Sequence, residues 1–519
     1  MLIISGLTVC MPFGKNVFAE EKHFKFNGES DPESLDPAII TGVTEMRFVS
    51  ALFEGLVNLH PETLKPLPGV AEKWSLSEDG LVYTFYLRKN AKWSDGSEVS
   101  ANDFYYAWKR VLTPKTASSY AYQLYPIKNA ESFHRKKIND FSKVGVQVID
   151  SSKFLVTLER PCPYFLELAA FPTLYPVNKA CIEKYKERWI RPENIVSNGA
   201  FSLEKWDVRQ RLVMIKHENY WDKDSVKLSK VTGFLYDDLE TAYKLFLQKK
   251  LHWLPSVPLA KMSEIMRHPD YYVMPYLGTY FYRFNCSKEP FNNVKVRKAL
   301  SMVIDRNTLT NQILKGGEEP ATHFCPPVSG YQPVKGIEFN IEKAKTIFSE
   351  AGYGPGKKTF PEVELLYNTS DSHKKIAEYI TEQWAKHLNI KVKLRNTEWK
   401  VFLSEMNKLN FDLCRSSWIG DYGDPNTFFD MFVKDGGNNR TGWFSKEYDS
   451  LLLKSLNERD QKKRFSLFQK MERILVEEEL PIIPLYIYVN KGMLDESITG
   501  WYENVLDLHP LKYIDIEEI

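Results

Sequence analysis

The chain is poor in the features that announce covalent chemistry. Its 519 residues hold six cysteines, at Cys10, Cys162, Cys181, Cys286, Cys325 and Cys414, with no Cys-x-x-Cys spacing. Neither a zinc knuckle nor a disulfide framework is encoded, and a Cys162–Cys181 pair in an oxidising compartment is the one alternative to buried free thiols. Ten histidines are scattered without a His-Glu-x-x-His pair, and there is no Gly-x-Ser-x-Gly elbow, so metal hydrolysis and serine hydrolysis both lack their local signatures. The run Gly352 to Thr359 lacks the gap of a phosphate loop and follows a helical pattern, where it acts as a stop and turn. Asp421, Asp424 and Asp430 lack the ligand order and closing Glu of an EF-hand. No metal and no cofactor is therefore expected. Charge of one sign is missing too: Lys+Arg is 69 and Asp+Glu 67, a net of +2, which leaves no electrostatic footprint for nucleic acid or an anionic membrane.

Long hydrophobic runs are also absent. The apolar run over residues 1–13 is too short to span a bilayer and is followed by Val17-Phe18-Ala19 and then charge, the pattern of a secretory leader and its cleavage site, although a basic start is lacking. Residues 1–19 are expected to be a signal peptide, and the mature chain periplasmic or otherwise extracytoplasmic. Cys10 follows Leu7-Thr8-Val9; the bulk of Val9 argues for a soluble exported form over a lipid anchor at Cys10.

Aromatic residues are abundant, at 14% of the chain, enough to stack binding walls as well as cores. The length exceeds one ordinary core and predicts two or three lobes around a cleft. Leu81 to Leu87 reads as a strand. Ser100 to Asp103 reads as a capping box opening a helix whose stripe is Phe104, Ala107, Trp108 and Val111. Asn340 caps a helix that stops at Gly352. Then come a strand (Val363 to Tyr367), a helix (His373 to Leu388), a strand (Ile390 to Leu394), a helix (Trp399 to Leu409) and a strand from Phe411. A last helix carries Phe465, Phe468, Met471 and Leu475, and precedes an apolar strand, Ile482 to Val489, broken by Pro484. Alternating elements of this length predict α/β layering with a largely parallel sheet, whose ligands bind beyond the carboxyl ends of its strands.

The tract Phe411 to Pro425 puts both signs of charge where a buried strand should be apolar. With a period of two, Arg415, Ser417 and Ile419 share a face, and Asp421 joins them if the chain stays extended. Cation and anion then stand roughly 20 Å apart, a spacing suited to a zwitterion. Arg415, with its rigid fork of donors, suits a carboxylate, and Asp421 in a water-poor cleft suits an ammonium. An internal Arg415–Asp421 salt bridge is the structural alternative.

Six segments, in order, carry a resemblance: Gly69 to Trp74, Tyr83 to Gly96, Asn198 to Phe201, Pro290 to Leu300, Tyr367 to Lys375 and Trp418 to Tyr422. Together they resemble the oligopeptide-binding proteins of ABC-type importers, solute-binding family five, over nearly the whole mature chain. The resemblance implies a three-lobed periplasmic-binding-protein-like fold: lobe I from 20–53, 177–277 and 489–519, lobe II from 54–176, lobe III from 278–488. It implies a non-enzymatic monomer that holds short peptides of about three to five residues extended between two lobes, and a membrane permease with a separate ATPase as partner. On matching positions Asp421 would take the ligand ammonium, and Arg415 and His373 the carboxylates of peptides of different lengths. Thr41, Val43, Ser417 and Ile419 would give main-chain contacts, and Trp399 and Trp418 would wall side-chain pockets.

Three departures bear on specificity. Where better-known members of that family carry an arginine near the ligand carboxylate, a cysteine pair and an acidic residue, this chain has Met406, Gly278 with Ile419, and Thr41. Rival functions are a receptor for a dipeptide, haem, a nickel complex or a cell-wall peptide, and, from another class, an exported peptidase or chaperone, which would need a nucleophile–base pair or a metal site.

Overall fold

A computed structural model of the chain describes residues 22–328, 330–458 and 460–517. The expected leader, its cleavage site and Cys10 lie outside the described residues.

The local signals near the N-terminal third act as their chemistry dictates. Asp103 accepts the Ser100 backbone N–H at 2.8 Å and so opens the helix Ala101–Leu112. Its stripe of Phe104, Ala107, Trp108 and Val111 is buried. The Trp108 indole donates to the Leu174 carbonyl at 2.8 Å and meets Phe154 edge-on at 5.1 Å, which anchors the helix on an antiparallel sheet ordered Ala71–Leu76, Val82–Leu87, Lys153–Thr157, Val146–Asp150.

The rest of the molecule is organised by one 11-stranded sheet. Two long antiparallel strands form its spine, Tyr271–Phe284 and Ile482–Leu494, paired from Tyr271 opposite Met493 to Arg283 opposite Ile482. On one side of the spine follow Trp253–Leu254, His23–Asn27, Lys230–Phe234, Arg211–Lys216 and Phe201–Asp207; on the other come Leu413–Ile419, Val363–Asn368 and Val392–Thr397, and the short Glu319–Pro320 pairs with Ile482–Leu494 off this path. Pro484 does not break its strand. Pairing shifts there, from Tyr280 opposite Tyr486 to Phe281 opposite Pro484, so the missing proline N–H falls at a bulge where the ladder is already irregular.

The sheet is mixed, a correction to the largely parallel expectation. Val363–Asn368 is parallel to both Val392–Thr397 and Leu413–Ile419, but Leu413–Ile419 meets the spine antiparallel. The helix His373 to Leu388 begins earlier, at Asp371, because Ser370 caps it. Its following strand begins later, at Val392, because Asn389 turns left-handed and the Ile390 N–H closes onto the Trp384 carbonyl. The two faces of this half bury separate cores, one around Tyr280, Tyr282 and Trp384, the other around Phe281, Phe324 and Phe428. Cys162 and Cys181 do not pair: both are free and buried, and the Cys181 thiol donates to the Asn194 carbonyl.

Candidate functional site

A cavity of about 980 Å³ lies where the strand Leu413–Ile419 ends, and Thr41, Val43, His373, Trp399, Arg415, Ser417, Trp418, Ile419 and Asp421 all line it. The strand reaches it with an open edge. Val363–Asn368 accompanies it only at Leu413 and Cys414. On its other side, Asn285 N donates to Asp412 O and Gly420 N to Leu277 O, so the even-numbered residues bond the spine. The antiparallel alternation then turns the N–H and C=O groups of Ser417 and Ile419 towards the open edge, past the last bridge to Val363–Asn368 at Cys414.

Asp421 sits at one end of that edge. Its carboxylate accepts the Gln123 amide at 2.9 Å and the Tyr120 hydroxyl at 3.4 Å, and its backbone N–H is held by the Thr427 hydroxyl at 3.0 Å. Among the described residues no cation lies within ion-pair distance, and burial pushes the carboxyl up to about 8. Asp424 is engaged elsewhere, clasped by both guanidinium nitrogens of Arg464 at 2.6 and 2.8 Å. Asp430 binds Tyr422 and Asn426.

Arg415 occupies the other end. It reaches the Tyr488 hydroxyl at 3.2 Å and Asn368 Oδ1 at 3.4 Å, and lies 5.0 Å over the Tyr280 ring. Its Nε is buried with no acceptor, and no carboxylate lies within ion-pair distance among the described residues. The internal Arg415–Asp421 bridge is therefore not formed. His373, in the first turn of Asp371–Leu388, stands 3.3 Å from the Tyr280 hydroxyl. Burial first, and the Arg415 charge second, hold its imidazole well below the usual range, so it is neutral beside the guanidinium.

The facing wall begins at Thr41. Gly42 gives the helix Val43–Leu52 no side-chain cap, so first-turn N–H groups keep donor capacity beside the cavity. Trp399 donates to Glu45 at 3.3 Å and Lys400 pairs with Asp31 at 2.9 Å, tying the two walls together. Trp418 is pinned through its indole to the Thr427 carbonyl at 2.6 Å. Met406 joins Leu366, Phe402 and Phe411 in a small apolar cluster, and Gly278 stands directly opposite Ile419, where a Cβ would meet the Ile419 side chain at 2.4 Å. Sequence reasoning missed Gln123, Tyr120 and Glu45, which lie far from their partners along the chain and carry no local signal.

Two α/β walls around a cavity with an open strand edge and an unmatched ionisable group at each end define a ligand-enclosing binding protein. A model of the bacterial extracellular solute-binding proteins, family 5 (middle), matches residues 65–440, and the chain belongs to that family. It is 37% identical to the periplasmic murein peptide-binding protein MppA of Escherichia coli, over 96% of this chain and 94% of that one. The structure of the E. coli murein tripeptide binding protein MppA superposes with a TM-score of 0.92 at 35% identity, covering 96% and 99% of the two chains. OppA of Haemophilus influenzae in complex with RPPGFSPFR does so with 0.92 at 30% identity and the same coverage. An unliganded open form of MppA gives 0.65 at 35% identity, covering 96% and 98%, so the arrangement here differs from that open form.

Proposed function

We propose that this chain is the extracytoplasmic peptide-binding component of an ABC importer, capturing short peptides in an extended conformation and delivering them to a membrane permease driven by a separate ATPase. One observation carries it: a buried anion site and a buried cation site, neither matched by an opposite charge among the described residues, stand at the two ends of a strand edge left open beyond Cys414. An extended peptide supplies what each lacks, an ammonium for Asp421, a carboxylate for Arg415, and main-chain partners for Ser417 and Ile419. Peptides of about three to five residues are the ligands that the resemblance implies. Thr41 and Val43 would contribute main-chain contacts from the facing wall, and His373 would gain a proton when a carboxylate approaches it.

In this scheme the spine strands are the hinge. They pass from lobe I (20–53, 177–277 and 489–519) into lobe III (278–488), with lobe II (54–176) attached to the first. Ligand favours closure by binding both walls at once, and the closed monomer is the form the permease receives. The relatives supporting this are binding proteins of transporters, so no catalytic step is assigned. Calorimetric titration of the ligand-stripped protein with tri- to pentapeptides tests it: several unrelated free peptides bind tightly and their Nα-acetylated forms do not. Failure of every free peptide to bind the folded protein would remove the proposal.

A further inference from the structure

The cavity holds a second cationic locus that the zwitterion leaves unused. Arg283 and Arg440 both line it, 2% and 8% exposed. Arg283 lies on the face of the sheet away from Arg415, since it stands opposite Cys414 in the ladder. It is fixed there: its Nε donates to the Ser416 hydroxyl at 2.9 Å and its Nη1 to the Asn438 carbonyl at 2.8 Å, over the Phe281 ring at 5.2 Å. Arg440, two residues beyond Asn438, has an Nε buried without an acceptor. Among the described residues neither guanidinium has a carboxylate within ion-pair distance, and burial first, with the charge of Arg440 second, brings Arg283 down to about 9.

Arg415 aside, the other buried and half-buried arginines that the sheet and helices hold are provided for. Arg110 grips Asp36, Arg47 reaches both Asp507 and Glu29, and Arg297 and Arg306 are wrapped by main-chain carbonyls. Two adjacent buried cations without an anion are costly unless something supplies one. Glu33 faces Arg440 electrostatically but is exposed and out of ion-pair reach, and Asp421, linked to the locus through Tyr120, is needed at the ammonium.

Resting on the peptide-binding reading above, we infer that Arg283 and Arg440 form a subsite for an acidic side chain of the bound peptide, so that this receptor prefers peptides carrying a carboxylate on the face opposite Arg415. Successive side chains of an extended ligand alternate between faces, so the preference is confined to alternate positions.

The test scans Glu, and its neutral isostere Gln, through positions 1 to 3 of trialanine by calorimetric titration. Glu is expected to bind about tenfold or more tighter than Gln at one position and equally at the next. Arg440 makes no side-chain hydrogen bond among the described residues, so Arg440→Gln is expected to abolish the difference while leaving trialanine affinity intact. Trialanine binding with no Glu preference anywhere overturns the acidic subsite and leaves the peptide-binding reading standing. A preference that survives in Arg440→Gln and in Arg283→Gln places it elsewhere and also overturns the subsite. No binding of any peptide removes both.

Discussion

Glu472 and Asp421 are carboxylates buried in the same half of the molecule, and they differ in how fully the protein answers them. Glu472 accepts four hydrogen bonds, from the N–H groups of Phe324 at 3.0 Å, Cys325 at 2.8 Å and Val334 at 3.0 Å and from the Tyr331 hydroxyl at 2.6 Å. Asp421 accepts one amide and one long hydroxyl contact at the edge of a cavity. Burial raises both carboxyls. The first is a completed knot that pins the segment around Phe324 and Tyr331 to the helix Gln461–Arg473; the second has acceptor capacity left for something that is not part of the chain. A buried charge satisfied by its own protein is structural, and one left short beside a cavity is a binding site.

Substitutions separate the two roles. Glu472→Ala leaves four buried donors unsatisfied, at about 1 to 3 kcal/mol each, and is expected to lower stability by at least about 4 kcal/mol in urea unfolding; a loss below about 1 kcal/mol would erase the contrast. Trp108 does not line the cavity, and Trp108→Ala is expected to lower stability by about 3 to 5 kcal/mol as a core truncation, a larger effect than any on peptide affinity. Asp421→Ala reverses that pattern: about 2 to 5 kcal/mol of affinity lost, as for one half of a buried charge pair, and stability held. A comparable loss of stability would make Asp421 a second Glu472.

The smallest effect is on pH dependence. Empty and folded, Asp421 keeps its proton up to about 8, whereas unfolded it loses it near the ordinary value of about 3.9. The native state holds the extra proton between those values, so the stability Asp421 contributes is present at low pH and falls as pH rises through that window. Ammonium binding needs the anion, so peptide capture below about 8 releases a proton and affinity climbs with pH. Titration in two buffers of different ionisation enthalpy reads that release directly; Asp421→Asn abolishes it, and an unchanged release would assign the proton to another group.

Helix stripes were legible in the sequence because capping and periodicity are local: Ser100 with Asp103, and Phe104 with Trp108, needed nothing distant. Arg415 and Asp421 stood out for a related reason, since both signs of charge are conspicuous in an apolar tract, although the strand ends at Ile419 and the period of two does not extend to Asp421. The antiparallel spine was not, because the Tyr271–Phe284 strand carries no hairpin signal and its partner lies some two hundred residues on. Gln123, Tyr120, Arg283 and Arg440 were hidden for the same reason: each looks ordinary until the fold sets it at the cavity. Pro484 misled because a proline signals a break, and only the bulge opposite Phe281 explains its place within a strand.

The central claim, that Asp421 waits for a ligand's ammonium, is tested most directly by a double-mutant cycle. A tight-binding tripeptide and its Nα-acetylated form are titrated into the protein and into Asp421→Asn. Acetylation should cost about 2 kcal/mol or more in the native protein and almost nothing further in the variant. An equal acetylation penalty in both would show that the ammonium is held elsewhere and that Asp421 is not its anchor.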